Sequence, residues 1–221
     1  MAIEAIPMWI PHGVLHEGAE ATVTAGSWLG RPAVLKTRRA RGYRHPDLDR
    51  RLTRQRLTSE ARILGRLHEL GFPAPSLIDL DQGEAWILMS RIEGRPLYES
   101  LKDGSSGIGS LEHLGRIIRS LHEAGFSHGD LTTHNVIVSH DWQVHLIDFG
   151  LARQSPELEH LGLDLQVLKE CLTASHSSLE GAVDAVVRGY LDGDSAPSET
   201  ESASRVIERF QKITGRVRYH G

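Results

Sequence analysis

The chain has 221 residues, of which 39% are hydrophobic, and a formal net charge of -4 at pH 7. It is long enough to bury a sizeable core as one compact unit or two small lobes, and its acidic balance argues against a globally basic nucleic-acid binder. A single cysteine excludes an internal disulfide and a zinc site built from several cysteines.

Hydropathy and the first ten residues bear on location. No run of apolar residues approaches the 18 or so that a membrane helix requires, and residues 1–10 contain no basic residue. We therefore expect no membrane partner, no secretion signal and a reducing, cytoplasmic location.

Three strands are predicted near the start of the chain, at Val14–His16, Ala21–Ala25 and Arg31–Thr37. The turn before the second strand consists of small residues around one glutamate, Gly18, Ala19, Glu20 and Ala21. Small residues allow close approach of a ligand to the backbone, although this turn is a degenerate form of a glycine-rich loop.

A long helix is predicted from Asp47 to Leu70, with one apolar stripe formed by Leu57, Ala61, Leu64 and Leu67. Glu60 falls on that stripe, and a carboxylate that points inward needs a cation. Lys36, at the end of the third strand among apolar neighbours, is the expected partner. The alternative is an exposed Lys36 and a peripheral Glu60.

The middle of the chain predicts a hydrophobic strand, Ala85–Met89, followed by a hinge at Ser90–Gly94. The second half is mainly helical. Helices are predicted at residues 111–123, 161–173, 179–191 and 203–213, and residues 192–202 are expected to form a mobile connection.

The most informative segment runs from His128 to Asn135 and is followed 13 residues later by Asp148-Phe149-Gly150. Two short strands are predicted between them, so Asn135 enters a hairpin and Asp148 leaves it. The ends of an antiparallel pair lie side by side, which brings an amide oxygen and a carboxylate together as ligands for Mg2+. Asp130 lies in the preceding loop, where it can accept the proton of an attacking hydroxyl.

This constellation predicts a phosphotransferase that uses ATP and Mg2+, with Asp130 as catalytic base and Asn135 and Asp148 as metal ligands. The Lys36–Glu60 pair would position the nucleotide phosphates, beside the small-residue turn at residues 18–21. The backbone around Ser90 to Ile92 would contact adenine. Met89 would line the back of the pocket or simply pack in the core.

Basic residues are concentrated between Lys36 and Arg66, where the sequence contains eleven Lys and Arg but three acidic residues. A solvated helix face is the usual explanation; we favour a surface for an acidic partner or nucleic-acid phosphates. The tail residues Lys212, Arg216, Arg218, Tyr219 and His220 form a weaker basic signal.

The order of these motifs resembles the small atypical serine/threonine kinase of the KEOPS tRNA-modification assembly, called PRPK in eukaryotes. The most specific of them are the Gly18–Ala21 turn and the run Gly42-Tyr43-Arg44-His45-Pro46. The resemblance implies an α+β, minimal bilobal protein-kinase-like fold, with an antiparallel sheet and one long helix in the N-lobe (residues 1–90) and a mainly helical C-lobe (residues 91–221).

The resemblance also implies function. Members of this family autophosphorylate and act as ATPases beside the threonylcarbamoyl-transferring subunit and other subunits of the assembly, in making N6-threonylcarbamoyladenosine in tRNA. Asp164 is similar in position to the aspartate that braces the catalytic loop of kinases. The basic tail is expected near the partner subunit or tRNA, and the resemblance implies that the phosphates near the Lys36 to Arg66 region would be those of tRNA.

Two departures from ordinary protein kinases accompany the resemblance. The peptide-binding activation segment after Gly150 is missing, and Gly129 stands where those kinases have an arginine that reads a phosphorylated loop. Two other readings stay open: a small-molecule phosphotransferase of the aminoglycoside or choline kinase type, and a nucleotide-binding scaffold without catalysis.

Overall fold

The computed structural model describes residues 8–39, 45–195 and 201–217. They form two compact units. The first comprises the described residues up to Glu69 together with Pro75–Ile92, and the second comprises Leu70–Ala74 and the described residues from Glu93 onward. Gly42, Tyr43 and Arg44 of the family motif, and Arg218, Tyr219 and His220 of the basic tail, lie outside the described residues.

The first unit is a five-stranded antiparallel sheet with one helix. In chain order its elements are β1 (Trp9–Glu17), β2 (Ala21–Trp28), β3 (Arg31–Arg38), α1 (Pro46–Glu69), β4 (Leu77–Asp81) and β5 (Trp86–Ser90). The strand order is β1-β2-β3-β5-β4. The three predicted strands and the long helix are therefore present, and each strand is longer than its apolar pattern alone indicated.

Strand alternation separates the two faces of this sheet. Ala33 and Leu35 of β3 belong to a buried cluster with Trp86 and Leu88 of β5. Lys36, the next residue of β3, lies on the opposite face, opposite Ile87 in the register. The predicted apolar stripe of α1 is buried, at Leu57, Ala61, Leu64 and Leu67.

The second unit is mainly helical. Its elements are β6 (Arg95–Pro96), α2 (Leu97–Lys102), α3 (Ile108–Glu123), β7 (Phe126–Ser127), β8 (Val136–Val138), β9 (Val144–Leu146), β10 (Arg153–Gln154), α4 (Leu158–Ser175), α5 (Ala182–Asp192) and α6 (Ala203–Val217). The strands form two small antiparallel sheets, β6-β8-β9 and β7-β10.

Helices α3 and α5 pack closely because a glycine removes the side chain at their contact. A Cβ built on Gly189 would lie 1.9 Å from the Glu112 carbonyl oxygen, so no larger residue fits there. Helix α5 begins at Ala182, three residues later than predicted, because Gly181 adopts a left-handed conformation with φ of 72° just before it.

The connection after α5 differs from expectation at its described ends. Asp194 and Ser195 are hydrogen-bonded to Arg119 and Glu123 of α3, so this part is anchored rather than mobile. Residues 196–200 lie outside the described residues. None of the described helices is both long and apolar enough to cross a membrane.

Candidate active site

The hairpin formed by β8 and β9 positions the acidic and amide residues of the second unit. Val136 pairs with Leu146, and the N–H of Ile147 donates to the carbonyl of Asn135 at 3.0 Å. Asn135 therefore lies directly before one strand and Asp148 two residues after the end of the other. The hairpin brings these two residues to the same end of the small sheet.

The side-chain amide of Asn135 has a fixed orientation. Its Nδ2 donates to the carbonyl of Asp130 at 2.8 Å and to Asp130 Oδ2 at 3.1 Å. Both partners are acceptors, so the NH2 group must face Asp130 and the Oδ1 oxygen must face the other way. Asp130 is thereby tied to the hairpin at a half-buried position.

Asp148 holds an exposed carboxylate on an unusual backbone. Its φ is 62°, in the left-handed region that residues other than glycine seldom occupy. The N–H of Gly150 donates to Asp148 Oδ1 at 3.3 Å. The next residue, Phe149, is buried and its ring centroid lies 5.0 Å from that of His128, so the segment changes direction sharply at Asp148.

His128 links the catalytic loop to the end of β9. The Asp130 N–H donates to its Nδ1 at 3.3 Å, and its Nε2 lies 3.0 Å from the Ile147 carbonyl oxygen. The Nδ1 atom therefore accepts a hydrogen bond and Nε2 faces an acceptor, an arrangement that the tautomer with its proton on Nε2 satisfies. Through these contacts His128 orients the loop that carries Asp130.

Asp164 of α4 binds the backbone of the same loop and is buried, with 2% of its surface exposed. Its carboxylate accepts the N–H of His128 at 2.6 Å and of Gly129 at 2.8 Å, and its Oδ2 lies 3.2 Å from His122 Nε2. Burial alone would raise the pKa of this carboxyl, but the hydrogen bonds from His122 and Gly129 and the neighbouring imidazoles hold its pKa below the ordinary value. Asp164 is thus a buried brace and not a solvated residue.

Gly129 is required by the shape of the loop. Its φ is 80°, and a Cβ at this position would lie 2.4 Å from the carbonyl oxygen of Leu151. An arginine, as in ordinary protein kinases, would clash with the backbone after the Asp148-Phe149-Gly150 turn. The departure that the sequence displays therefore has a steric cause.

In the first unit, the expected contact between Lys36 and Glu60 is present. Lys36 Nζ lies 2.8 Å from Glu60 Oε1, with the two side chains 8% and 1% exposed. A second cation was not expected: Arg38 Nη2 lies 2.6 Å from Glu60 Oε2, and the Arg38 side chain is 7% exposed. The sequence could have indicated this second contact, because residues 36 and 38 of one strand lie on the same face of the sheet.

The small-residue turn joins β1 and β2. The Gly18 N–H donates to the Ala21 carbonyl at 3.0 Å, and Ala19 is exposed. The carboxylate of Glu20 pairs with Arg56 of α1 at 3.2 Å, and the Glu20 carbonyl accepts the Arg39 N–H at 2.9 Å. The turn is thus fastened both to α1 and to the end of β3.

The hinge residues follow β5 at the end of the first unit. Met89 is 7% exposed and pairs with Val34, which matches the core-packing alternative. The Ser90 N–H donates to the Ser76 carbonyl at 2.9 Å. The Arg91 N–H donates to the Pro32 carbonyl at 3.2 Å, whereas among the described residues the N–H of Ile92 has no backbone acceptor and can serve a ligand.

The basic segment divides into buried and exposed parts. Lys36 and Arg38 are buried against Glu60. On α1, a set of exposed arginines lines an open groove of about 520 Å³ together with Asp47, Gln55, Thr58 and Ser59; these arginines are Arg50, Arg51, Arg54 and Arg62. The exposed positive surface is therefore smaller than the sequence count indicates.

Within the described ranges, no three His, Cys, Asp or Glu side chains are grouped so as to hold a metal ion. An all-protein metal cage is thus absent from these residues. One carboxylate and one amide oxygen suit a cation that takes its other ligands from phosphates and water, as Mg2+ does.

Comparison with known proteins identifies the family. A family model described as a RIO domain matches residues 33–173. The EKC/KEOPS complex subunit BUD32 of Coccidioides immitis is 34% identical over 268 residues, which cover 94% of this chain and 91% of that protein. The probable bifunctional tRNA threonylcarbamoyladenosine biosynthesis protein of Methanothermobacter thermautotrophicus is 36% identical over 206 residues. That match covers 93% of this chain and 37% of the relative, so the chain spans little more than a third of the relative's length.

Solved structures support the fold. The complex of the Rio2 kinase of Chaetomium thermophilum with ADP/Mg2+ and phosphoaspartate matches with a TM-score of 0.59 at 16% identity, over 96% of this chain and 73% of that one. A second structure of that kinase gives a TM-score of 0.59 at 18% identity, over 93% and 74% of the two chains. These matches confirm the kinase-like α+β fold. The family model and the sequence relatives show that the chain belongs to the RIO-domain family, and the BUD32 relative confirms the resemblance to the KEOPS kinase.

Proposed function

We propose that this protein is an ATP- and Mg2+-dependent serine/threonine kinase or ATPase that acts in the KEOPS assembly during formation of N6-threonylcarbamoyladenosine in tRNA. The observation that carries the proposal is the arrangement of Asp130, Asn135 and Asp148 on one braced loop and hairpin. Residues 1–90 and 91–221 would act as the N-lobe and C-lobe of a single kinase domain. A cytoplasmic location is part of the same proposal.

Asn135 and Asp148 would hold Mg2+. The Asn135 Oδ1 faces away from Asp130 because its NH2 group is committed to that residue, and Asp148 presents an exposed carboxylate. Both are hard oxygen donors of the type that Mg2+ prefers. The bound cation would supply charge neutralisation on the phosphoryl group.

Asp130 would act as the catalytic base. Its Oδ2 accepts from Asn135, and this contact fixes the carboxylate so that Oδ1 can accept a proton from a serine or threonine hydroxyl or from water. The proton transfer needs an ionised carboxylate, and the half-buried, hydrogen-bonded position keeps that group oriented.

Lys36 would contact the nucleotide phosphates while Glu60 holds its side chain extended, as the buried ion pair indicates. The turn Gly18, Ala19, Glu20 and Ala21 would cover the phosphates with its backbone. Ser90 and Ile92 would border the adenine, where the N–H of Ile92 would donate to it, and Met89 would form the apolar floor of that part of the site.

The proposed partners are inferred from the names of two similar proteins. The Coccidioides immitis protein is named as a subunit of the EKC/KEOPS complex, and its length is matched almost completely. The Methanothermobacter thermautotrophicus protein is named bifunctional, and the matched region is a minor part of it. Both favour the KEOPS reading, with the threonylcarbamoyl-transferring subunit as partner, over a small-molecule phosphotransferase.

The groove on α1 would contact tRNA phosphates. Arg51, Arg54 and Arg62 are exposed and, among the described residues, have no carboxylate partner. Arg54 and Arg62 are two helical turns apart on one face, so they can neutralise separate phosphates. Replacing both by methionine should weaken tRNA binding and reduce the slope of log K against log salt concentration by about 2. An Arg188→Met variant, which removes a surface pair with Glu112, is the control.

The proposed function is tested by ATP turnover with Mg2+. Wild-type protein and the variants Asp148→Ala and Asp130→Ala are compared, alone and with the threonylcarbamoyl-transferring subunit and tRNA. Asp184→Ala, which changes an exposed aspartate of α5, is the matched control. We expect turnover that rises with the partner and tRNA and that is lost in both site variants but not in the control.

Two other results would contradict the proposal. Turnover that is indifferent to partner and tRNA would favour a small-molecule kinase. Full support of tRNA modification by the Asp130→Ala variant would indicate a nucleotide-binding scaffold.

A further inference from the structure

Arg38 is the unexpected feature of the first unit. Its guanidinium binds one oxygen of Glu60 while Lys36 binds the other, at 2.6 and 2.8 Å. Its Nε is buried and, among the described residues, has no hydrogen-bond partner. A buried N–H without an acceptor is unfavourable, so the guanidinium occupies this position because of its contact with Glu60.

We propose that Arg38 is a positioning residue that clamps Glu60 and thereby keeps α1 in the place where Lys36 can contact phosphates. This inference rests on the proposed function of Lys36. A carboxylate held by one cation can rotate and exchange its oxygens. When each oxygen has its own cation from the same strand face, the carboxylate is fixed in orientation and in distance from β3.

Other contacts fix the same parts. The Arg38 N–H donates to the Ala85 carbonyl at 2.9 Å, which holds the end of β3 where the clamp begins. Arg56, one helical turn before Glu60 on α1, pairs with Glu20 at 3.2 Å. Helix α1 is therefore joined to the sheet and its turn at two successive turns of the helix.

The clamp would replace an activation switch. In protein kinases the strand-lysine to helix-glutamate pair must be in place for activity, and activation-loop phosphorylation controls it. This chain has only a short segment after Gly150, and Gly129 cannot be exchanged for a phosphate-reading arginine without a clash. A permanent second cation on Glu60 keeps the pair assembled without such control.

The test is a double-mutant cycle between Arg38→Met and Glu60→Gln, with kcat and KM for ATP turnover and the Kd for ADP measured for each protein. Arg38→Met should lower kcat about 10-fold or more and leave the Kd for ADP unchanged. It should have no further effect in the Glu60→Gln background, because it acts through Glu60. Arg38→Lys, which keeps the charge but not the fork, should lie between, and Arg188→Met should match wild type.

Two results would overturn the inference: wild-type kcat in Arg38→Met, or a raised Kd for ADP that persists in the Glu60→Gln background. The latter would make Arg38 a direct phosphate ligand. If Arg38→Met does not fold, the same comparisons are made with Arg38→Lys.

Failure of the proposed function has a different signature. If Lys36→Met turns over ATP like wild type, the proposed contact of Lys36 with the phosphates is wrong. The inference about Arg38 is then tested by hydrogen exchange of the backbone amides. Amides of α1 around Glu60 should lose protection in Arg38→Met but keep it in Arg188→Met. Equal protection in the two variants would overturn the clamp.

Discussion

Replacing Asp164 by asparagine tests whether the buried carboxylate holds the catalytic loop. Asp164 accepts N–H groups from His128, Gly129 and His122. An asparagine can keep its oxygen on the side of His128 and His122, but its NH2 group then faces the Gly129 N–H. One buried backbone donor is left unsatisfied, at about 1–3 kcal/mol, and the other two bonds lose their charge assistance, at about 1 kcal/mol each.

The sum is about 3–5 kcal/mol of unfolding free energy, which corresponds to a fall in Tm of roughly 6–20 °C for a chain of this size. Thermal unfolding followed by circular dichroism measures it. The exposed Asp184→Asn variant on α5 is the control and should unfold like wild type. Because the loop carries Asp130, kcat for ATP should also fall by about 100-fold.

The pH dependence provides the refutation. Folding lowers the Asp164 pKa, so its stabilisation is complete above the ordinary aspartate pKa of about 3.9 and is lost as pH falls through the lower folded value. The stability difference between wild type and Asp164→Asn should be full at pH 7 and shrink only in acid. A difference that is absent at pH 7, or that grows in acid, would show that the carboxylate is not the brace.

Two further predictions concern the same loop. Gly129→Ala should destabilise the protein and reduce kcat, because the added methyl group would lie 2.4 Å from the Leu151 carbonyl oxygen. The control is Gly104→Ala, where φ is 77° but the space around the Cβ is open, so only the backbone cost of about 1 kcal/mol is expected. Equal losses of stability in the two variants would contradict the clash. Burial, with Lys102 and His134 nearby, lowers the pKa of His176. The free energy of unfolding should therefore fall as pH drops below about 6.5, because the imidazole of the unfolded chain takes up a proton first. His176→Gln should make this fall smaller. Equilibrium unfolding measured at several pH values checks it, and the same pH dependence in wild type and variant would contradict the prediction.

Local pattern was sufficient to predict the parts of the molecule that depend on short-range geometry. The hairpin between Asn135 and Asp148 follows from two apolar runs and a turn, and the contact of Lys36 with Glu60 follows from a polar residue on an apolar stripe. Both rest on periodicities that the backbone imposes on any chain.

Contacts over long sequence separations were less accessible. Arg38 lies on the same face of β3 as Lys36. Because arginine is exposed in most proteins, the burial of this side chain was not expected. Asp164 likewise lies on a helix, where an aspartate is solvated by default. Only packing of α4 against the loop encloses it, together with His122, whose Nδ1 lies 2.7 Å from the Tyr190 hydroxyl. Sequence carries no signal for such a buried network.

Arg119 of α3 has a consequence for the order in which the chain can fold. Its guanidinium is completely buried, and its partners include the Asp194 carboxylate and the Glu201 carbonyl, 75 and 82 residues further along. A buried cation without its partners costs about 3–5 kcal/mol. During synthesis α3 leaves the ribosome long before residues 194–201, so the native burial of this side chain must wait for them. Completion of the second unit therefore comes late in the folding of this chain, after Asp194 and Glu201 have been synthesised, and nascent chains that end before Asp194 should leave Arg119 without these two partners.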